Sequence, residues 1–235
     1  MMTIDTIFID LDNTLLDFYA TEDHILGEAL SRHGITPTPE VVARYQDINV
    51  AQWLLLEQGV LEIDEVGVRR FALLVEALGH SADAQALSDT YEHLMEDACF
   101  FVPGAKELLE YLSKEYRICL VTNGMGEVQH NRIRNCGLEA YFDDIFVSSD
   151  LGCVKPNADF FEACFEKLGG VDAKRCVMIG DGLNADMRGG IQMGMRTIWF
   201  NPWGHENNTE WQPDAEIVSL KEVPVILEVW ENEDL

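Results

Sequence analysis

The sequence has few basic residues, and this shortage excludes one large class of partner. Lysine and arginine together account for 16 of the 235 residues, against 42 aspartates and glutamates, so the formal net charge is -26 at pH 7. A surface of this charge repels polyphosphate backbones, and we expect no nucleic-acid partner. An anionic substrate would need a local cation in order to bind.

Long hydrophobic runs and paired cysteines are also missing. No apolar run approaches the ~20 residues that a membrane-spanning helix needs, and the opening MMTIDTIFID lacks the zones of a signal peptide. We therefore expect a cytoplasmic protein with no membrane partner. The six cysteines form no CxxC pair and several lie inside apolar runs, which predicts reduced core cysteines. They are Cys99, Cys119, Cys136, Cys153, Cys164 and Cys176.

Five short segments rich in valine, isoleucine and phenylalanine are typical of buried strands. Their nearly continuous hydrophobicity predicts burial on both faces, as in a parallel sheet. Helical patterns alternate with them, which predicts a doubly wound α/β domain. The predicted strands are 6–10, 117–122, 144–149, 175–180 and 196–200, and the helices are 104–116, 127–137, 157–169 and 184–194.

The stretch between the first two predicted strands contains helical patterns and no convincing strand. Gly, Pro and capping Ser or Asp residues separate four amphipathic segments, at about 20–33, 38–58, 64–78 and 82–98. We therefore predict an inserted all-α helical domain at residues 17–98. The α/β core then consists of residues 1–16 and 99–235.

Two aspartates, Asp10 and Asp12, end the first predicted strand in the sequence DLDNT, which also contains Thr14. In an extended segment residues two apart point the same way, and unpaired buried carboxylates are strongly unfavourable. Mg²⁺ binds one or two protein carboxylates together with substrate phosphate, so this pair indicates a metal site. The alternative is an aspartate that caps the following helix, which explains one of the two.

Two further clusters suit an anion. VTNG at 121–124 offers a hydroxyl, an amide and backbone N–H groups before a predicted helix, although such a sequence is commonly an ordinary turn. Lys155, before Pro156, lies in the loop beyond the third strand, although a lone loop lysine is commonly a surface residue.

The sequence GDGLNAD at 180–186 repeats the acidic strand end. Asp181 follows the fourth strand, and Asp186 can fold back over the glycine turn. The alternative is again an aspartate at a helix start. Because ligands in open α/β sheets bind outside the carboxyl ends of the strands, we expect all four clusters to lie at one edge.

Taken together, DLDNT, TNG at 122–124, KP at 155–156 and GDGLNAD resemble, in order and spacing, the four motifs of the haloacid dehalogenase (HAD) superfamily. The resemblance covers the whole chain, including a helical cap domain inserted after the first motif. It implies hydrolysis of a phosphomonoester through a covalent aspartyl phosphate, with Mg²⁺ as the cofactor.

The resemblance also implies a role for each motif residue. Asp10 is the implied nucleophile, and Asp12 the general acid and then the general base. The metal is implied to bind Asp10, the main-chain carbonyl of Asp12 and Asp181, with Asp186 supporting its water shell. The implied phosphate-binding residues are Thr122, Asn123 through its backbone, Gly124 and Lys155. Thr14 is implied to orient the first motif.

In capped members of the superfamily the inserted domain selects the leaving group. The second predicted helix of this insertion places Tyr45, Asn49, Trp53 and Glu57 at successive i+4 steps along one face. This stripe either packs inside the helical domain or contacts a base and sugar. With Arg70-Phe71 and Leu78-Gly79, it is similar to bacterial pyrimidine 5'-nucleotidases, which implies a nucleoside monophosphate substrate.

Other activities stay open at this point. A phosphatase for another small metabolite (a sugar phosphate, acylneuraminate 9-phosphate or phosphoglycolate) shares the architecture. A 2-haloacid dehalogenase needs neither the metal nor the second aspartate, so the motifs favour a phosphatase. A receiver-like protein that stores phosphate would lack the helical insertion. The expected partner is a small phosphorylated metabolite, and the chain is either a monomer or a dimer.

Overall fold

The computed structural model describes residues 4–233 and contains a six-stranded parallel sheet. The strand order is β3-β2-β1-β4-β5-β6, and every neighbouring pair is parallel. This arrangement confirms the doubly wound α/β fold. The strands are β1 (Thr6–Ile9), β2 (Arg117–Thr122), β3 (Asp144–Val147), β4 (Cys176–Gly180), β5 (Arg196–Phe200) and β6 (Ala215–Ile217).

The central strand β1 is buried on both faces, which explains the continuous hydrophobicity of this segment. Ile9 pairs with Leu120 of β2 on one side and with Ile179 of β4 on the other. The strand order therefore reverses between β1 and β4. Ligand sites in open α/β sheets lie at such a reversal, outside the carboxyl ends of the strands.

The described residues contain ten α-helices, and none of these is long and apolar enough to span a membrane. Residues Leu183–Met187 form a π-helical turn directly before α9. The helices are α1 (Phe18–Arg32), α2 (Pro39–Glu57), α3 (Ile63–Ala77), α4 (Ala84–Glu96), α5 (Ala105–Glu115), α6 (Gly126–Asn135), α7 (Ser148–Leu151), α8 (Ala158–Lys167), α9 (Arg188–Met193) and α10 (Val223–Glu233).

Seven of the eight predicted helices begin and end within two residues of their predicted bounds, and the eighth is divided into the π-helical turn and α9. The expectation that Ser148 and Ser149 belong to the third strand is wrong, because both lie in α7. β3 ends at Val147, which pairs with Thr122, the last residue of β2, so the neighbouring strand offers no partner beyond that point.

Contacts divide the chain into two compact units. The core unit contains the described residues up to Asp17, Phe101–Asn123, and those from Leu138 onward. The helical unit contains Phe18–Phe100 and Gly124–Gly137. This division differs from the predicted domains in one segment, because α6 groups with the helices that precede the second strand.

A disulfide joins two parts of the helical unit and corrects the prediction of six reduced cysteines. Cys99, just after α4, is bonded to Cys136, just after α6, with their Cα atoms 5.4 Å apart. The other four cysteines are free thiols, as expected. The pair is not visible in the sequence because its members are 37 positions apart and the packing of α4 on α6 brings them together.

Candidate active site

Three carboxylates converge at the carboxyl edge of the sheet, within the core unit. Asp10 follows β1, Asp181 follows β4, and Asp186 lies in the π-helical turn. One oxygen from each lies within 4.8 Å of the others. Asp10 and Asp186 are buried, whereas Asp181 is partly exposed. These carboxylates, together with Lys155, are the core cluster.

Asp186 folds back over the turn that follows β4. Its Oδ2 accepts a hydrogen bond from the main-chain N–H of Gly182 at 3.0 Å. A Cβ atom on Gly180 would lie 2.3 Å from the same carboxylate oxygen. Only glycine at position 180 therefore leaves room for the Asp186 side chain in this place.

The Lys155 ammonium lies between the carboxylates and is 1% exposed, so it is not a surface lysine. Its Nζ donates to Asp10 Oδ1 at 2.6 Å, to Asp186 Oδ1 at 2.7 Å and to the main-chain carbonyl of Val121 at 2.8 Å. These bonds use all three of its N–H groups. Lys155 therefore fixes the orientation of the predicted nucleophile.

The core cluster contains three acidic groups and one basic group. The pKa of Asp10 is raised to about 7, because burial and the Asp186 carboxylate raise it more than Lys155 lowers it. The pKa of Asp181 is raised well above its ordinary value, mainly by burial and then by the neighbouring Asp10 and Asp186 carboxyl groups. Burial alone would lower the pKa of Lys155, but Asp10 and Asp186 outweigh it and raise that pKa. A divalent cation would relieve this repulsion among carboxylates.

Asn123 clamps the loop that contains Lys155. Its Nδ2 donates to the main-chain carbonyl of Lys155 at 2.9 Å, and its Oδ1 accepts the main-chain N–H of Lys155 at 2.9 Å. The peptide bond between Lys155 and Pro156 is cis. Both polar groups of the Asn123 side chain thus bond to the main chain of Lys155. The phosphate binding that the resemblance implies for Asn123 involves its backbone and not this side chain.

Thr14 and Thr122 are both buried at this edge of the core unit. Thr122 is the last residue of β2, and Thr14 Oγ1 accepts the main-chain N–H of Asp181 at 3.1 Å. Asp12 is partly buried, and its carboxylate lies outside the group of three that could hold a metal. This placement is compatible with metal binding by its main-chain carbonyl, as the resemblance implies.

Gly124, the third predicted phosphate-binding residue of the second motif, belongs to the helical unit. A Cβ atom at this position would lie 2.6 Å from Gln129 Cγ, so a larger residue would displace the buried Gln129 side chain of α6. The packing of this turn explains the glycine without a ligand. Phosphate binding by Gly124 stays a prediction.

Trp199 also contacts the core cluster, although no sequence motif pointed to it. Its Nε1 donates to the main-chain carbonyl of Asp181 at 2.9 Å. The contact follows from the pairing of β4 with β5, in which Trp199 lies opposite Gly180. The strand order of the sheet is the signal that identifies this residue.

Tyr45 lies inside the helical unit and is 0% exposed. Its ring stacks on Phe71, with centroids 5.1 Å apart, and its centroid lies 5.9 Å from that of Tyr91. Of the two interpretations of the predicted stripe, the structure therefore supports packing for Tyr45.

Asn49 is also buried and is the centre of a polar network. Its Oδ1 accepts from Trp53 Nε1 and from Arg70 Nη1, both at 3.1 Å, and its Nδ2 donates to Glu22 Oε1 at 3.2 Å. Tyr91 Oη donates to the same Glu22 oxygen at 3.3 Å. Glu22, Asn49, Arg70 and Tyr91 form the helical network, with one residue from each of α1 to α4. Trp53 is partly exposed, and substrate contact by Trp53 stays a prediction.

A family model for haloacid dehalogenase-like hydrolases matches residues 4–194. YfnB of Bacillus subtilis is 36% identical over 224 residues, which cover 95% of each chain. Its structure, which contains bound magnesium, matches with a TM-score of 0.89 over 96% of this chain and 99% of that one.

Two similar proteins are named as pyrimidine 5'-nucleotidases. PynA of Streptococcus pneumoniae is 34% identical, with 92% of each chain covered. YjjG of Escherichia coli is 30% identical, with 96% of this chain and 99% of that one covered.

Proposed function

Because the chain belongs to the haloacid dehalogenase-like hydrolase family, we propose that it is a Mg²⁺-dependent phosphatase that hydrolyses pyrimidine nucleoside 5'-monophosphates through an aspartyl phosphate. The observation that carries this proposal is the core cluster. Three carboxylates with a single ammonium suit a divalent cation and a phosphoryl group better than they suit a neutral substrate.

The residues present fit Mg²⁺, which prefers carboxylate and carbonyl oxygens. Asp10, Asp181 and Asp186 supply three carboxylates, and the raised pKa values of Asp10 and Asp181 reflect burial and mutual repulsion that a cation would relieve. When bound, Mg²⁺ supplies charge neutralisation for the nucleophile and the phosphoryl oxygens.

The first half of the proposed reaction transfers the phosphoryl group to the enzyme. A carboxylate oxygen of Asp10 attacks phosphorus, an oxygen–phosphorus bond forms, and the bond to the ester oxygen breaks. Asp12, in its protonated form, gives a proton to the departing alcohol. Lys155, which hydrogen-bonds Asp10 at 2.6 Å, holds this carboxylate in place and offsets negative charge that develops on the phosphoryl group.

The second half regenerates the enzyme. Asp12, now a carboxylate, takes a proton from water, and the resulting hydroxide attacks phosphorus. The bond between Asp10 and phosphorus breaks, inorganic phosphate leaves, and Asp12 is protonated again. The two hydrogen bonds between the Asn123 side chain and the Lys155 main chain hold the loop, so the Lys155 ammonium keeps its position beside Asp10 in both halves of the reaction.

The choice of a nucleotide as substrate rests on the two similar pyrimidine 5'-nucleotidases rather than on a contact in this chain. Phosphate release with Mg²⁺ tests it, over a panel of pyrimidine and purine nucleoside monophosphates, sugar phosphates, acylneuraminate 9-phosphate and phosphoglycolate. We expect the highest kcat/KM for a pyrimidine nucleotide. A higher value for another phosphate ester would contradict the substrate and leave the phosphatase standing.

Two additional reactions separate the other activities. Steady phosphate release from p-nitrophenyl phosphate, beyond one equivalent per chain, excludes a protein that merely stores phosphate. Halide release from 2-chloropropionate without release from any phosphate ester would instead identify a dehalogenase.

A further inference from the structure

The Asp181 carboxylate is held differently from the other two in the core cluster. Asp10 and Asp186 each accept hydrogen bonds directly, from Lys155 and, for Asp186, also from Gly182. Within residues 4–233, no donor is hydrogen-bonded to the carboxylate of Asp181. Its direction therefore depends on how its main chain is held.

Two side chains hold that main chain, one on each side. The N–H of Asp181 donates to Thr14 Oγ1 at 3.1 Å, and its carbonyl accepts from Trp199 Nε1 at 2.9 Å. Both partners are buried, at 0% exposure for Thr14 and 3% for Trp199. With both peptide groups held in this way, a carboxylate oxygen of Asp181 lies within 4.8 Å of one from Asp10 and one from Asp186.

Trp199 is suited to this task by its position in β5. The pairing of Trp199 with Gly180 places the indole beside the residue at which the chain leaves β4. The ring belongs to the hydrophobic cluster that also contains Phe161 and Met187, so its place is fixed by packing. A buried indole N–H requires an acceptor, and here the acceptor is the Asp181 carbonyl.

We propose that Trp199 is a positioning residue that orients the Asp181 carboxylate toward a divalent cation through the Asp181 main chain. The inference rests on the proposed function, because the cation is the one that the proposed reaction requires. Residues that hold a metal-binding residue without contacting the metal typically matter for affinity, and their loss lowers metal affinity by roughly 10–100-fold. For the loss of Trp199 we expect a decrease in Mg²⁺ affinity near the lower end of this range, because Thr14 still accepts the Asp181 N–H.

Two replacements separate the hydrogen bond from ring packing. Trp199→Phe removes the N–H and part of the ring, whereas site-specific replacement of Trp199 by benzothienylalanine removes the N–H and keeps the ring shape. Trp203→Phe is the matched control, because Trp203 follows the same strand and is 43% exposed. Mg²⁺ binding to each protein is measured by isothermal titration calorimetry, and thermal unfolding is measured in EDTA.

We expect Mg²⁺ affinity to fall about tenfold in both Trp199 variants and to stay at the wild-type value in Trp203→Phe. The Mg²⁺ concentration for half-maximal phosphate release should shift by the same factor, and saturating Mg²⁺ should restore most of kcat. The melting temperature of the benzothienylalanine variant in EDTA should match that of the wild type.

Wild-type affinity in the benzothienylalanine variant would overturn the inference, whether or not Trp199→Phe binds weakly, and would leave the proposed function intact. A wild-type protein that binds no Mg²⁺ would overturn the proposed function and this inference together.

Discussion

The core cluster and the helical network both bury charge, but they balance it differently. In the helical network, the Glu22 carboxylate and the Arg70 guanidinium both bond to Asn49, and Tyr91 completes the set. In the core cluster, the one ammonium, that of Lys155, bonds to Asp10 and Asp186, and the third carboxyl group, that of Asp181, has no bonded cation among the described residues. The polar groups of the helical network bond to one another, whereas the core cluster has more acidic groups than basic ones. Imbalance, rather than burial alone, therefore distinguishes a site for a cation from a packed interior.

The largest effect is expected at the nucleophile. Asp10→Asn keeps the size of the side chain and removes the nucleophilic carboxylate, so kcat for p-nitrophenyl phosphate should fall by more than about a thousandfold. The circular dichroism spectrum should match that of the wild type. Turnover near the wild-type rate would refute covalent catalysis by Asp10.

Arg70 tests the helical network. Arg70→Met keeps the length of the side chain but removes the guanidinium, which donates to Asn49 Oδ1 and opposes the raised pKa of Glu22. It also removes the contact of the guanidinium with the Tyr91 ring, whose centroid lies 4.7 Å from Arg70 Cζ. Losing a buried hydrogen bond made by a charged group costs about 1.5–3 kcal/mol, which urea unfolding should detect. Because Arg44 is exposed on α2, Arg44→Met is the control and should change stability little. Equal losses in the two variants would mean that the network adds no stability.

Gly180 tests the steric basis of the core cluster. In Gly180→Ala the new methyl group would lie 2.3 Å from Asp186 Oδ2, so the carboxylate must move and Mg²⁺ affinity should fall by at least about tenfold. The same distance for Gly182→Ala is 3.0 Å, which predicts a smaller loss. Calorimetric titration with Mg²⁺ measures both. A larger loss in Gly182→Ala would contradict the proposed packing of Asp186.

The smallest expected effect concerns pH. Burial raises the pKa of Glu22, against opposition from Arg70, Tyr91 and Gln46, while Asp23 adds to it. The folded chain thus holds a proton here more tightly than the unfolded chain does, so this site lowers wild-type stability as pH rises from the ordinary glutamate pKa through the raised value.

Glu22→Gln removes this dependence. The free energy of unfolding of the variant minus that of the wild type should therefore increase as the pH rises above the ordinary glutamate pKa. Urea unfolding at several pH values provides the difference, and a flat or decreasing difference would show that Glu22 does not titrate as described.

Features that depend on local patterns could be predicted from the sequence. β1, β2, β4 and β5 are short, mostly apolar runs, and Asp10 and Asp181 directly follow two of them. Asp186 lies five residues after Asp181 in the same motif, so the sheet edge brings the three together. β6 was not predicted, because its three residues, Ala215–Ile217, include a glutamate and are too short to show a period. α10 is not among the predicted helices, although its apolar residues are visible in the sequence.

Contacts that depend on tertiary packing could not be predicted. The disulfide between Cys99 and Cys136, the clamp of Asn123 on Lys155 and the bond from Trp199 to Asp181 each join residues that are distant in the chain. No local period encodes such pairs. The burial of Tyr45 likewise depends on which face of α2 meets α3 and α4.

The most direct test of the charge imbalance is the stoichiometry of Mg²⁺ binding in three proteins. Calorimetric titration should find one tight site per chain in the wild type and in Glu22→Gln, and none in Asp181→Asn, because that substitution removes a carboxylate from the core cluster alone. Equal binding by Asp181→Asn and wild type, or loss of binding in Glu22→Gln, would contradict the assignment of the cation to the core cluster.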